Sequence, residues 1–299
     1  MKTLLLSLAI GATLAATVLP SASAAPTPRA APLPSGVREI HDVAYGAGKL
    51  ERFDIYLPTQ GAHDAPVIFM VHGGGWAHGD KTDANVVQNK VARWVPEGFI
   101  LVSTDYPMLP EANPLQQAQF VGNALAAAQR MAGSWGGDRQ RFILMGHSAG
   151  AHLVSLVSAE PALALERSAA PWLGTVALDS AAYDVTRIMQ GPHLPLYDDA
   201  FGSDPAFWAA ASPIVQLDGR IAPFFAVCSS LRRESCPQAQ RFVAKADLLG
   251  TRASMQPEPL THEEINADLG LPDAYTEAVE DFMRTLDPAV ARRLDHGGQ

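Results

Sequence analysis

The chain has 299 residues, with 22 Lys+Arg against 31 Asp+Glu and a formal net charge of −9 at pH 7. That length allows one or two domains around a large core. The acidic balance, with no Lys/Arg cluster interleaved with aromatics, excludes nucleic acid and polyanionic membrane surfaces as natural partners.

The N-terminus opens with Lys2, an apolar stretch from Leu4 to Leu19 and then "PSASA", the pattern of a secretory signal peptide with Ala22 and Ala24 before the cut. The apolar stretch falls short of the ~20 residues that span a bilayer. Cleavage after Ala24 is therefore expected, with a secreted or periplasmic product and no integral membrane segment left. Residues 25–36, "APTPRAAPLPSG", read as a flexible leader, 37–290 as a single domain and 291–299 as a polar tail.

"KLERFDIYLP" (49–58) alternates apolar and polar, which predicts a half-exposed strand near an antiparallel edge. "APVIFMVHGGGW" (65–76) is instead a continuous apolar run ending in glycines, the pattern of a strand buried on both faces. "GFILVSTDY" (98–106), "RFILMGH" (141–147), "TVALDSA" (175–181) and "APFFAVCSS" (222–230) repeat that character. Helix-like stretches separate them at 82–95, 114–132, 149–160 and 237–249. The alternation predicts an α/β fold, a mostly parallel central sheet with helices on both faces. Functional groups in such sheets gather on loops after the carboxyl ends of strands. The two cysteines, Cys228 and Cys236, lie eight positions apart, and in an exported chain they predict a disulfide. Closing so short a loop stabilises by about 2–3 kcal/mol.

"GHSAG" (146–150) lies at a predicted strand–turn–helix junction, between "RFILM" and "AHLVSLVSA". A nucleophile elbow requires that context, with small residues two positions either side of the serine, here Gly146 and Gly150. Ser148 is the candidate nucleophile. "HGGGW" (72–76) also follows a buried strand, and its glycines let backbone N–H groups approach a ligand closely. The N–H groups of Gly74, Gly75 and Ala149 form a candidate oxyanion hole. A phosphate loop fits poorly, since no Lys-Ser/Thr follows the glycines.

"VHGGGWAHGDK", "TDYPMLPEANP", "WGGDRQRFILMGHSAGAHL" and "FGSDPAFWAAASPIVQL" together resemble the α/β-hydrolase superfamily. Within it they are most similar to the esterase branch of hormone-sensitive-lipase-like and feruloyl-esterase-like carboxylesterases, related to kynurenine formamidases. The resemblance runs from about residue 50 to 285. It departs at "DYP" (105–107), usually "DYR", and in lacking an Asp around Phe120–Asn123.

This fold places its triad in the order Ser, acid, His. Beyond Ser148, His152 lies one helical turn on and reads as packing, His193 sits in a Pro-rich insertion, and His296 falls in the polar tail. His262, in "PLTHEEI", is the candidate base. In the resembled family the acid follows the strand written here "APFFAVCSS". The one carboxylate between Phe225 and Asp247 is Glu234, so the resemblance implies Glu234, with Asp179 and Asp184 as open alternatives. A Cys228–Cys236 bridge would bracket Glu234 and steady its longer side chain.

No metal set is expected, because His72 and His78 belong to the glycine-loop motif and lack ligand spacing, and no cofactor is implied. The aromatic-rich segment 190–215 is either a pocket wall or core. The resemblance implies a secreted serine carboxylesterase that hydrolyses small-molecule esters through an acyl-enzyme. A formamidase with the same machinery and a non-catalytic binding protein on the same fold are the alternatives.

Overall fold

The computed structural model describes residues 32–296. The expected signal peptide, its cleavage site and most of the leader lie outside the described residues, as do 297–299. Strands β1 (Val37–Ala44), β2 (Arg52–Pro58), β3 (Ala65–Val71), β4 (Ile100–Thr104), β5 (Gly137–His147), β6 (Gly174–Leu178), β7 (Phe224–Ser229) and β8 (Ala253–Glu258) form one 8-stranded sheet. Its order is β1-β2-β4-β3-β5-β6-β7-β8. The β1/β2 and β2/β4 pairs are antiparallel and every other pair is parallel.

The helices are α1 (Ala84–Trp94), α2 (Pro114–Met131), α3 (Ala149–Ala159), α4 (Ala162–Leu165), α5 (Val185–Met189), α6 (Pro195–Phe201), α7 (Pro205–Ala210), α8 (Pro213–Gln216), α9 (Ser235–Leu248), α10 (His262–Ala267), α11 (Ala274–Arg284) and α12 (Pro288–His296). Local chemistry fixes their starts. Asn113 and Gln116 form a capping box ahead of Pro114 at the start of α2, and the Asp83 side chain accepts from Asn85 N at the start of α1.

Strand β3 shows why the apolar runs are continuous. Val67, Phe69 and Val71 pack with Val121, Leu125, Leu153 and Val157 of α2 and α3. Ile68 and Met70 turn the other way, onto Val87, Val91, Val279, Met283 and Val290 of α1, α11 and α12. With successive side chains facing opposite covered faces, no position is left for a polar residue.

Two expectations are corrected. First, β2 is not half-exposed. β1 is the edge strand, β2 is hydrogen-bonded on both sides, and Phe53 to Pro58 are buried. Its polar Asp54 is fully buried, accepting from Asp42 N at 2.7 Å and lying 3.5 Å from Lys81 Nζ. The alternation there marks a buried ion pair, not a wet face. Second, the ordered fold does not end at 290. Helix α12 continues to His296 and buries Val290 and Leu294. Among the described residues, no helix is long and apolar enough to cross a membrane.

Candidate active site

Ser148 occupies the turn between β5 and α3, with φ 56° and ψ −117°. A left-handed backbone at a non-glycine residue costs on the order of 1–3 kcal/mol, so the surroundings must impose it. Ser148 N donates to Leu178 O of β6 at 2.9 Å, which pins the turn to the neighbouring strand. The flanking glycines are sterically required. A Cβ at Gly146 would lie 2.4 Å from Gly150 O, and one at Gly150 would lie 2.2 Å from Val71 O. Helix, turn and β3 thus touch backbone to backbone, and the serine side chain is thrust out of the sheet.

The glycine loop after β3 packs directly on that turn. A Cβ at Gly73 would meet both Ser148 Cβ and His147 O at 2.9 Å. Gly74 has φ 115°, and a Cβ there would lie 2.0 Å from His78 O, since the loop doubles back with His78 N donating to Gly74 O at 3.0 Å. Gly74, Gly75 and Ala149 line the same cleft as Ser148. Their three N–H groups have no backbone acceptor among the described residues, so they stand unspent beside the serine.

His262 enters from the loop after β8. Thr261 and Glu264 form a capping box, which sets the start of α10 so that His262 is its first residue. His262 Nε2 lies 2.8 Å from Ser148 Oγ, and its Nδ1 lies 2.5 Å from Asp179 Oδ2. The carboxylate against the imidazole is therefore Asp179, and the Glu234 expectation is corrected. Glu234 stands at the start of α9 with its side chain 56% exposed, and its charged neighbour is Arg233 at 3.6 Å. The other alternative, Asp184, caps α5 by accepting from Arg187 N at 3.0 Å. The physical reason is strand adjacency. β6 and β7 are neighbours in register, Leu178 opposite Val227, so a carboxylate ending either strand reaches the same imidazole.

The loop after β7, where the acid was expected, instead supplies donors to Asp179. Ser229 N donates to Oδ1 at 2.8 Å, Ser235 Oγ donates to Oδ1, and Arg232 Nη1 donates to Oδ2 at 2.6 Å. Burial alone would raise the Asp179 carboxyl. The His262 hydrogen bond, the Arg232 guanidinium and the two serine donors outweigh it and hold the group well below the usual carboxylate range. The Cys228–Cys236 disulfide is present and closes this donor loop, so it brackets the residues that hold Asp179 and not Asp179 itself. Ser229 Oγ also donates to Leu260 O at 2.6 Å, tying the cradle to the histidine loop.

His147 and Arg232 were not singled out from sequence. His147 is buried and its ring is pushed down to about 3 by burial and by the neighbouring His262, so it is neutral. Its Nε2–H donates to His262 O at 2.8 Å and fixes the backbone at His262. The available signal was its adjacency to Ser148. His152, read as packing, is fully buried and does pack, but it also bonds. It accepts from Trp76 Nε1 at 3.1 Å and donates from Nε2 to Ala211 O at 2.8 Å, linking the glycine loop to the segment before α8. His193 lies apart, paired with Asp198 at 3.0 Å. The 190–215 segment serves both expected ends, with Leu194, Leu196 and Tyr197 lining the cleft while Ala200, Phe201 and Ala211 enter the core.

Among the described residues, the group of His, Asp and Glu close enough to share a metal is Glu39, His41 and Asp54, with ligand atoms within 4.8 Å of one another. It belongs to β1 and β2, not to the Ser148 cleft.

The strand order and the Ser148 turn at the centre of the sheet define an α/β-hydrolase. The chain belongs, more narrowly, to the BD-FAE family, whose model matches residues 53–230 and so takes in the elbow, the glycine loop and Asp179. It is similar to esterase LipQ of Mycobacterium tuberculosis, 29% identical over 267 residues, which are 83% of this chain and 62% of that protein. It is also similar to kynurenine formamidase of Danio rerio, 29% identical over 124 residues, 41% of this chain and 40% of that protein. The chain spans less than two thirds of the length of either relative. The crystal structure of esterase B from Lactobacillus Rhamnosis shares the fold, with a TM-score of 0.71, 18% identity, and coverage of 88% of this chain and 89% of that one.

Proposed function

We propose that this protein is an exported serine carboxylesterase acting on small-molecule esters. The observation that carries the reading is the unbroken chain Asp179–His262–Ser148, at 2.5 and 2.8 Å, in a cleft that Gly74, Gly75 and Ala149 also line. Ser148 Oγ attacks the ester carbonyl while His262 Nε2 takes its proton. The N–H groups of Gly74, Gly75 and Ala149 receive the developing oxyanion, and each such donor is worth about 3–4 kcal/mol of barrier. Asp179 holds the Nδ1–H tautomer and offsets the imidazolium charge. His262 then protonates the departing alkoxide, leaving an acyl-Ser148. Water then attacks the acyl carbon as His262 Nε2 takes its proton, the acyl C–Oγ bond breaks with that proton passing to Ser148 Oγ, and the carboxylic acid leaves. The similarity to esterase LipQ supports ester hydrolysis, and the disulfide supports an extracytoplasmic setting.

The kynurenine formamidase relative supports a second reading, in which the same groups cleave an amide. Rates on nitrophenyl esters of increasing chain length, measured beside N-formylkynurenine, separate the two. Ser148→Ala should lower turnover by roughly 10⁴-fold or more, and an organophosphate should label Ser148 stoichiometrically. Label on another serine, or a variant retaining more than about one thousandth of wild-type turnover, would remove Ser148 from its role.

A further inference from the structure

The Ser148 cleft, about 680 Å³, adjoins a second chamber of about 580 Å³, and the two share Ala181, Leu194, Tyr197 and Arg232 as their common wall. The second chamber does not contain Ser148 or His262, though Arg232 and Ser235 of its lining are the Asp179 donors described above. Its walls carry the guanidinium groups of Arg187, Arg232 and Arg233 against the single carboxylate of Glu234. With Arg232 paired to Asp179 and Arg233 to Glu234, the guanidinium of Arg187 is left as the uncompensated charge among the described residues of this lining.

The arginines differ in how far they are committed. Arg233 is 94% exposed and faces Glu234 at 3.6 Å. Arg187 makes no ion pair among the described residues, and only its backbone N–H is engaged, by the Asp184 cap. Arg232, 30% exposed, spends only Nη1, on Asp179 O and Oδ2. Its Nε and Nη2 have no hydrogen-bond partner among the described residues. A half-used guanidinium fork in the wall between two cavities matches the paired oxygens of a carboxylate, with Arg187 as a second cation. Leu194, Ile188 and Tyr197 line the space around them with apolar surface suited to a hydrocarbon or aromatic spacer.

We propose that the second chamber is a carboxylate-reading subsite, so that the preferred substrates are esters carrying a free carboxylate across a short apolar spacer from the scissile bond. This rests on the reading of Ser148 as the ester-attacking nucleophile. The test compares kcat/KM within matched pairs. For an acid on the acyl side, the pair is mono(4-nitrophenyl) adipate and 4-nitrophenyl hexanoate. For an acid on the alcohol side, it is 4-acetoxybenzoate and 4-acetoxybenzamide. In at least one pair the acid should be favoured by roughly 10-fold or more, the scale of a charge-assisted pair. Arg187→Gln, an exposed change at a short helix, should cut that ratio several-fold, and Arg187→Glu should cut it further. Neutral esters hydrolysed with no preference for either acid, or a preference untouched by both Arg187 variants, overturns the subsite alone. No hydrolysis of any of the four compounds overturns the esterase reading, and the subsite with it.

Discussion

The two halves of the candidate site are built in opposite ways. The Ser148 half is assembled from residues close in sequence, where strand β5, the turn and helix α3 occupy 137–159 without a break. The Asp179–His262 half is assembled from loops after three strands, β6, β7 and β8, with partners up to 83 residues apart. The first half is held by backbone contacts that tolerate no side chain. The second is held by side-chain donors around one carboxylate. Local steric rules therefore govern the Ser148 turn, and long-range electrostatics govern the Asp179–His262 pair.

A first way to break this comparison is to add one methyl group to the steric half. Gly150→Ala puts a Cβ about 2.2 Å from Val71 O, a clash that only backbone movement relieves. Overpacking of that kind costs typically 1–3 kcal/mol and more where backbone must shift. A loss of about 3 kcal/mol or more in chemical denaturation is expected, with activity falling in the same variant. A fully stable, active protein would show that the elbow is looser than its contacts.

A smaller effect separates the halves by pH. Burial pushes His147 down to about 3 and His152 to about 4, from an unfolded value near 6.5. Below about pH 6 the unfolded chain takes up protons on both rings while the folded chain does not. Their stabilising contribution is complete above about pH 6.5 and is lost as pH falls toward the folded values. Each ring should contribute a slope of about 1.4 kcal/mol per pH unit between about pH 6 and pH 4.5. His152→Gln should flatten the measured slope by that amount, whatever it does to stability at pH 7. An unchanged slope would mean that His152 titrates normally in the fold.

What was legible in the sequence follows the same division. Buried strands, helices, the elbow and the glycine loop all write themselves in contiguous residues, because steric and hydrophobic periodicity act over a few positions. His262 was reachable by its order in the chain and by "THEE", whose capping box starts α10 at that residue. Asp179 was present as an alternative but ranked below Glu234. One strand's end is nearly equivalent to the next when β6 and β7 lie in register, and only the placement of Ser229, Arg232 and Ser235 decides between them. β2 was misjudged for a related reason, since its polar Asp54 answers Lys81 from another part of the chain. The burial of α12 likewise depends on the face of the sheet it covers, not on its own polar composition.

The central claim is that the acid partner of His262 ends β6 and that the loop after β7 only cradles it. Asp179→Asn and Glu234→Gln, each purified and compared with wild type for kcat on one nitrophenyl ester, test this most directly. Asp179→Asn should lower kcat by roughly 10⁴-fold, because a neutral amide favours the wrong imidazole tautomer and no longer offsets the imidazolium. KM should change little, and Glu234→Gln should stay within about two-fold of wild type, as expected for a surface change remote from the imidazole. A Glu234→Gln protein that loses activity while Asp179→Asn keeps it would contradict the account.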